Sequence, residues 1–311
     1  MPPRTTPPRT TSDAVRRLRR AVHFVPGANE KMLTKALGLP ADSLVLDLED
    51  AVTPENKATA RTVVCDWLRD VDFGRQERVV RPNPLDTPWG GDDLRATMEV
   101  PPDAYLIPKV STLAEVEAVD AELTRLEAEY GHAPDSVALL VVATETPAGV
   151  LNQPSFPQCP RVAGMTWGAE DLSAAIGARR ARTPDGAYLD VFKHCRVQTL
   201  LSCTAGGVQP IASVFVEIRD LDALRAECRE DAWMGFTGKV TIHPDQIPIV
   251  NEAFTPSREE VAEAEELLAA FREAEAEGRM AFSFKGQMVD VPHLRRAETI
   301  VARARDAAVA E

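Results

Sequence analysis

Two carboxylates, Glu145 and Asp171, carry the richest chemistry in this chain. Each closes a short apolar run, residues 137–146 and 161–171, and the two runs are consecutive, so the side chains can converge. Two carboxylates, with water or substrate oxygens completing an octahedron, suit Mg2+. No His or Cys stands at such ends with zinc-ligand spacing. Arg81 closes the run 77–83. Its planar fork can hold a carboxylate or an enolate oxygen, and an ion pair with Asp47 or Glu49 would account for it equally well. Lys31 and Lys35 are four apart, on one face of a helix, and either bind phosphates or form a solvated pair. His243 precedes Pro244 at the end of another run, where a satisfied core histidine is the alternative. Asp290 lies between apolar residues, where an acid costs energy unless it is paired or functional. Trp89 and Trp167 read as packing residues.

The elements that must position these groups are legible as a pattern. Eight apolar runs recur at 21–27, 43–50, 77–83, 104–110, 137–146, 161–171, 209–218 and 232–244. Runs without polar alternation indicate parallel strands buried on both faces. Amphipathic segments such as ENKATARTVVCDWL and LAEVEAVDAELTRLEAEY lie between them and read as helices. Eight strand–helix repeats predict a (β/α)8 TIM barrel, with a doubly wound sheet as the alternative. The runs end in Asp47, Glu49, Asp50, Arg81, Asn83, Lys109, Glu145, Glu170, Asp171 and His243. Catalytic groups of this fold sit where strands hand over to helices. Helix capping would explain one or two of these acids, but not a whole rim.

The expected organisation is a disordered tail over 1–19, a barrel over 20–255 and a C-terminal helical and extended extension over 256–311. In the extension, FSFKGQMVDVP reads as extended with Gly286 in a turn, followed by a helix. A barrel does not need this segment, so it should cover an active site, its own or a neighbour's. The tail, rich in Pro, Thr and Arg, lacks the apolar stretch of a secretory signal, and a transit peptide is its other reading.

With 311 residues, 44% of them hydrophobic, the chain can bury a large core. A net charge of −13 argues against a nucleic-acid partner, and no apolar run has the length of a membrane span. An anionic substrate would need a locally positive site in this acidic protein. Five scattered cysteines without a CxxC pair fit free thiols in a reducing, cytoplasmic setting.

From about Arg19 to about Val301 the chain resembles the citrate lyase β-subunit-like family of the HpcH/HpaI aldolase superfamily, nearest its citramalyl-CoA lyase-like branch. The resemblance rests on RRAVHFVPGANEK, LVLDLEDAV, VRPNPLDTPWG, LIPKV, ETPAGVLN, WGAEDLSAAIGA, MGFTGKVTIHPDQIPIVNEAFTPS and FSFKGQMVDVP, in that order. It implies a homotrimer of Mg2+-binding barrels acting on an acyl-coenzyme A thioester. It places Glu145 and Asp171 on the metal carboxylates and Arg81 on the substrate-binding arginine. Phe24, held by Tyr in the compared branch, falls on a substrate contact, as do Glu49, Ile242 and His243. Lys31 and Lys35 fall on lysines that meet coenzyme A phosphates, and Asp290 on an acid/base that reaches into a neighbour's site.

The implied reaction cleaves a 3-hydroxyacyl-CoA, of citramalyl-CoA or malyl-CoA type, to acetyl-CoA and a 2-keto acid. A thioester hydrolase or a Claisen-type synthase on the same site, and a non-catalytic barrel subunit, are the alternatives. The sequence departs from the family at Ala21, His23, Ala212, Phe215 and the Phe192–Lys193–His194 triplet. These changes cluster around the seventh strand and its preceding helix and bear on the acyl group rather than on the metal or the acid/base.

Overall fold

The computed structural model describes residues 11–310. Eight parallel strands close into a barrel in chain order: β1 (Ala21–Pro26), β2 (Ser43–Asp47), β3 (Glu77–Arg81), β4 (Ala104–Ile107), β5 (Ala138–Val142), β6 (Val162–Thr166), β7 (Gln209–Ala212) and β8 (Gly238–Thr241). β8 returns to pair with β1, so the sheet has no edge. This is the (β/α)8 barrel that the eight apolar runs predict. The strands are shorter than the runs: Asp47 and Arg81 end β2 and β3, and the other polar run-ends lie beyond the strands. The last run differs most, because Ala232–Met234 finish a helix instead of starting a strand. Gly235, at φ 117°, stops that helix in a conformation that favours glycine.

The helices around the sheet are α2 (Glu30–Ala36), α3 (Lys57–Asp70), α4 (Gly90–Thr97), α5 (Leu113–Tyr130), α6 (Pro147–Asn152), α7 (Glu170–Ile176), α8 (Asp190–Gly206), α9 (Leu221–Met234) and α10 (Gln246–Phe254). α5 shows why these segments are helical. Thr112 and Glu115 form a capping box at its start, and Val116, Val119, Leu123 and Leu126 make one buried stripe. Gly131 ends it at φ 74°.

Every strand contributes to the interior, through Val22, Val45, Val79, Leu106, Leu140, Ala163, Ile211 and Val240, with Ala104, Ala138 and Val142 beside them. It is a packed core rather than a pore. Ala14 and Val15, in helix α1 (Thr11–Arg16), pack against this cluster. The expected disordered tail is therefore ordered at its end, while residues 1–10 lie outside the described residues. Arg19 explains the anchoring. It donates to both Glu77 oxygens, from Nε at 2.8 Å and Nη2 at 2.7 Å, and from Nη1 to Gln209 Oε1 at 2.6 Å. Behind the sheet, buried Lys239 donates to Glu227 and Asp231 at 2.9 Å each, and Asp231 also pairs with Arg196. Such a buried network holds only while every partner is present.

The chain divides into two compact units at Val250/Asn251, within α10 and five residues before the expected boundary. The second unit holds α11 (Arg258–Ala276), the hairpin β9 (Phe282–Phe284) and β10 (Gln287–Val289), and α12 (Val291–Ala310). Lys285 and Gly286 turn the hairpin at φ 47° and 81°, as a two-residue turn of this hand requires. Leu267, Phe271, Val289, Ala297 and Val301 form its core, with Leu294 and Ile300 against them. Among the described residues no helix is long and apolar enough to cross a membrane, and all five cysteines are free.

Candidate active site

The site is built on the loops that leave the C-terminal ends of the strands. Glu145 lies three residues past β5 rather than on it. The loops after β5 and β6 are pinned together by Thr144, whose Oγ1 donates to the Gly168 carbonyl at 3.0 Å and accepts from its amide at 2.9 Å. A Cβ at Gly168 would stand 3.4 Å from Glu145 Cγ, at van der Waals distance, so the two loops meet closely here. Asp171 also differs from its expected place. It does not end β6 but sits in the first turn of α7, where the helix dipole favours an acid, and its side chain is 39% exposed.

Glu145 is buried, and its Oε2 accepts the backbone amide of Lys109 at 2.6 Å. Burial pushes its carboxyl up to about 8. The carboxylates of Asp171 and Glu49 push the same way, against the Lys109 amide and the charge of Arg81. Lys109 itself has φ 55°, a conformation a non-glycine residue rarely adopts. Its backbone thus serves Glu145 while its ammonium reaches the other acids. Nζ stands 2.6 Å from Glu49 Oε1, 2.9 Å from Asp50 Oδ1 and 3.7 Å from Asp171 Oδ1. Burial works against the ammonium, but hydrogen bonds and charge from Glu49 and Asp50 outweigh it and raise its pKa. For Glu49 burial prevails and its pKa is raised; for Asp50 the contacts with Lys109 prevail over burial and lower it.

Arg81 ends β3 and makes both ion pairs weighed for it from sequence. Nε and Nη2 donate to the two Asp47 oxygens at 2.8 and 2.7 Å, and Nη1 lies 3.0 Å from Glu49 Oε2. The Phe24 ring centroid is 4.7 Å from the guanidinium carbon, within cation–π range. Buried Lys57 steadies the β2 loop, donating to the carbonyls of Leu48 at 2.9 Å and Glu49 at 2.8 Å.

The remaining residues named from sequence fall elsewhere. Lys31 and Lys35 are on the exposed face of α2, whose Leu33 and Ala36 are buried. Ile242 and His243 follow β8, which neighbours β1, and Gln246 Oε1 accepts both their amides at 2.9 and 3.2 Å. His243 is not the core histidine weighed as its alternative, since its side chain is 40% exposed. The buried histidine is His23, with Nδ1 3.0 Å from Thr241 Oγ1. Burial, and then the charge of His243, lower the His23 pKa to about 4 against the opposing Thr241 contact. Asp290 belongs to the second unit, between β10 and α12, half exposed and 2.7 Å from His293 Nδ1. Sequence reasoning passed over His293 and the Thr144–Gly168 clamp. The first had a signal, an i,i+3 spacing at a helix start; the second had none.

The structure thus brings Phe24, Glu49, Arg81, Glu145 and Asp171 together, with Asp47, Asp50 and Lys109 completing the cluster. Among the described residues no three His, Cys, Asp or Glu side chains converge as a ligand set. A cation here would have two protein carboxylates and take its other oxygens from water or substrate, the pattern of magnesium. The raised carboxyl of Glu145, crowded by two more acids, fits a divalent cation taking the place of its proton.

Residues 20–244 match the HpcH/HpaI aldolase/citrate lyase family. A (3S)-malyl-CoA thioesterase of Cereibacter sphaeroides is 38% identical over 92% of this chain and 94% of its own length. The mitochondrial citramalyl-CoA lyase of Mus musculus is 36% identical over 92% of this chain and 86% of its own. The crystal structure of Mycobacterium tuberculosis CitE in complex with magnesium, acetoacetate and coenzyme A aligns with a TM-score of 0.77 and 36% identity, covering 93% of this chain and 99% of that one.

Proposed function

The chain belongs to the HpcH/HpaI aldolase/citrate lyase family, and on that premise we propose that it is a magnesium-dependent carbon–carbon lyase of 3-hydroxyacyl-CoA thioesters. Citramalyl-CoA or malyl-CoA is the substrate type, with acetyl-CoA and a 2-keto acid as products. The observation that carries this reading is one cluster at the barrel's C-terminal end: the acids Glu145 and Asp171 beside the Arg81 guanidinium. Glu145 and Asp171 would hold the ion. When bound, magnesium supplies positive charge to the substrate's adjacent carboxylate and hydroxyl oxygens and makes the hydroxyl more acidic.

This chain's own residues do the rest. Arg81 is held in place by its two-oxygen contact with Asp47, which leaves Nη1, now on Glu49, to face developing negative charge. Phe24 covers one face of the guanidinium and keeps water from it. Lys31 and Lys35 bind the coenzyme A phosphates, and Ile242 and His243 line the acyl side. As the carbon–carbon bond breaks, the substrate hydroxyl gives up its proton to solvent and becomes the keto oxygen, and the electron pair of the broken bond moves onto the acetyl carbon, which takes a proton from Asp290. In the condensation direction Asp290 removes that proton. Asp290 reaches this position from a neighbouring subunit of a homotrimer. Five free thiols fit a cytoplasmic setting.

A second reading, hydrolysis of the thioester, is favoured by the relative named as a thioesterase. One assay separates the two. The protein is incubated with magnesium and citramalyl-CoA or malyl-CoA, and keto acid and free thiol are followed separately. Keto acid without free thiol supports the lyase, and free thiol without keto acid the hydrolase. Neither product from either substrate would overturn both. Sedimentation analysis tests the trimer.

A further inference from the structure

We propose that His293 is a positioning residue for Asp290, fixing which carboxyl oxygen exchanges the proton with substrate. The inference rests on the reading of Asp290 as the acid/base. Asp290 immediately precedes α12 and His293 lies in its first turn, three residues on. His293 Nδ1 lies 2.7 Å from Asp290 Oδ1, the length of a charge-assisted bond. The Asp290 amide approaches the same nitrogen at 3.3 Å. Both cannot be full hydrogen bonds, because Nδ1 either carries a proton or offers a lone pair. Whenever Asp290 is the ionised partner, as when it removes the proton in the condensation direction, its carboxylate only accepts, so the shorter contact then requires the proton on Nδ1. That assigns Nδ1–H as donor and Oδ1 as acceptor, with the amide a side contact.

The consequence is directional. Asp290 lies between β10 and α12 and is half exposed, so without a partner its carboxyl would be free to rotate. With Oδ1 tied to His293, the plane of the carboxyl is set and Oδ2 becomes the oxygen presented outward. A proton moving to or from carbon needs the donor oxygen aligned with the reacting orbital, and small misplacements are costly. The imidazole can do this because its own backbone is fixed: the His293 amide donates to the Asp290 carbonyl at 3.0 Å.

The test compares H293L, H293N and D290N in the full-length protein, with kcat, KM, melting temperature and magnesium binding measured for each. H293N retains a side-chain amide donor near the place of Nδ1. The expected result for H293L is a loss of about 10- to 100-fold in kcat with KM and magnesium affinity unchanged. H293N should recover most of that loss, and adding H293L to D290N should cost nothing further. Near-normal kcat in H293L, with D290N inactive, overturns the positioning role while leaving Asp290 as acid/base. Near-normal kcat in D290N overturns the reading beneath it. If H293L and H293N lose kcat equally, or only in step with melting temperature, the role is structural and the proposal fails.

Discussion

Replacing Lys109 with Met keeps a long unbranched side chain and the backbone amide that holds Glu145, but removes the ammonium from among Glu49, Asp50 and Asp171. Breaking a fully buried pair costs about 3–5 kcal/mol. Lys109 is 33% exposed and Asp50 52%, so water shares the work, and about 2 kcal/mol is the reasonable size here. At roughly 2–4 °C per kcal/mol, the metal-free variant should melt about 4–8 °C below the unaltered protein. Magnesium should reverse most of this. An ion present at a hundredfold excess over its dissociation constant contributes about 2.7 kcal/mol. It also no longer competes with an ammonium 3.7 Å from Asp171, so the magnesium-induced rise should be larger in K109M. The assay is thermal melting in chelator and across a magnesium titration. An unchanged metal-free melting point, or a magnesium-induced rise that shrinks, would refute the account of Lys109 as the cation that balances these acids.

Other outcomes follow from the same geometry. E145Q should weaken magnesium binding by isothermal titration, whereas D290N should leave it intact and lower kcat by about 10²–10⁴-fold. Exchanging Lys31 and Lys35 for Glu should raise KM for the CoA thioester, with little change in kcat, and reverse its salt dependence, whereas exchange for Ala should remove most of it. His23 titrates near 4 when folded and near 6.5 when unfolded. Between those values the unfolded chain binds a proton the folded chain refuses, so stability falls as pH drops from 6.5 towards 4, by about 3 kcal/mol in all. H23L should flatten that acid limb in denaturant titrations; an unaltered slope would show that another group sets it.

Much of the barrel was legible because strands buried on both faces leave continuous apolar runs, and every one of them contributes to the interior. The strand ends were not. A run does not say where pairing stops, so Glu145 and Asp171 moved from strands into a loop and a helix turn. Nothing in the type of Lys109 announces its φ of 55° or the bond its amide makes to Glu145, 36 residues away. The identity of the cluster was readable residue by residue, but its pairing was not: Arg81 had two candidate acids and took both. The order at residues 11–16 depends on contacts of Arg19 with Glu77 and Gln209, 58 and 190 positions on, which no local pattern encodes.

The packing of Ala14 and Val15 into the interior cluster has a practical bearing on how this protein can be handled. A version trimmed back to the first strand would leave an apolar opening at the end of the barrel opposite the catalytic groups. It should stick to itself in solution even with every catalytic group intact. Cleavable tags therefore belong ahead of Thr11, and activity lost on closer trimming would report an unstoppered barrel rather than a missing reactant.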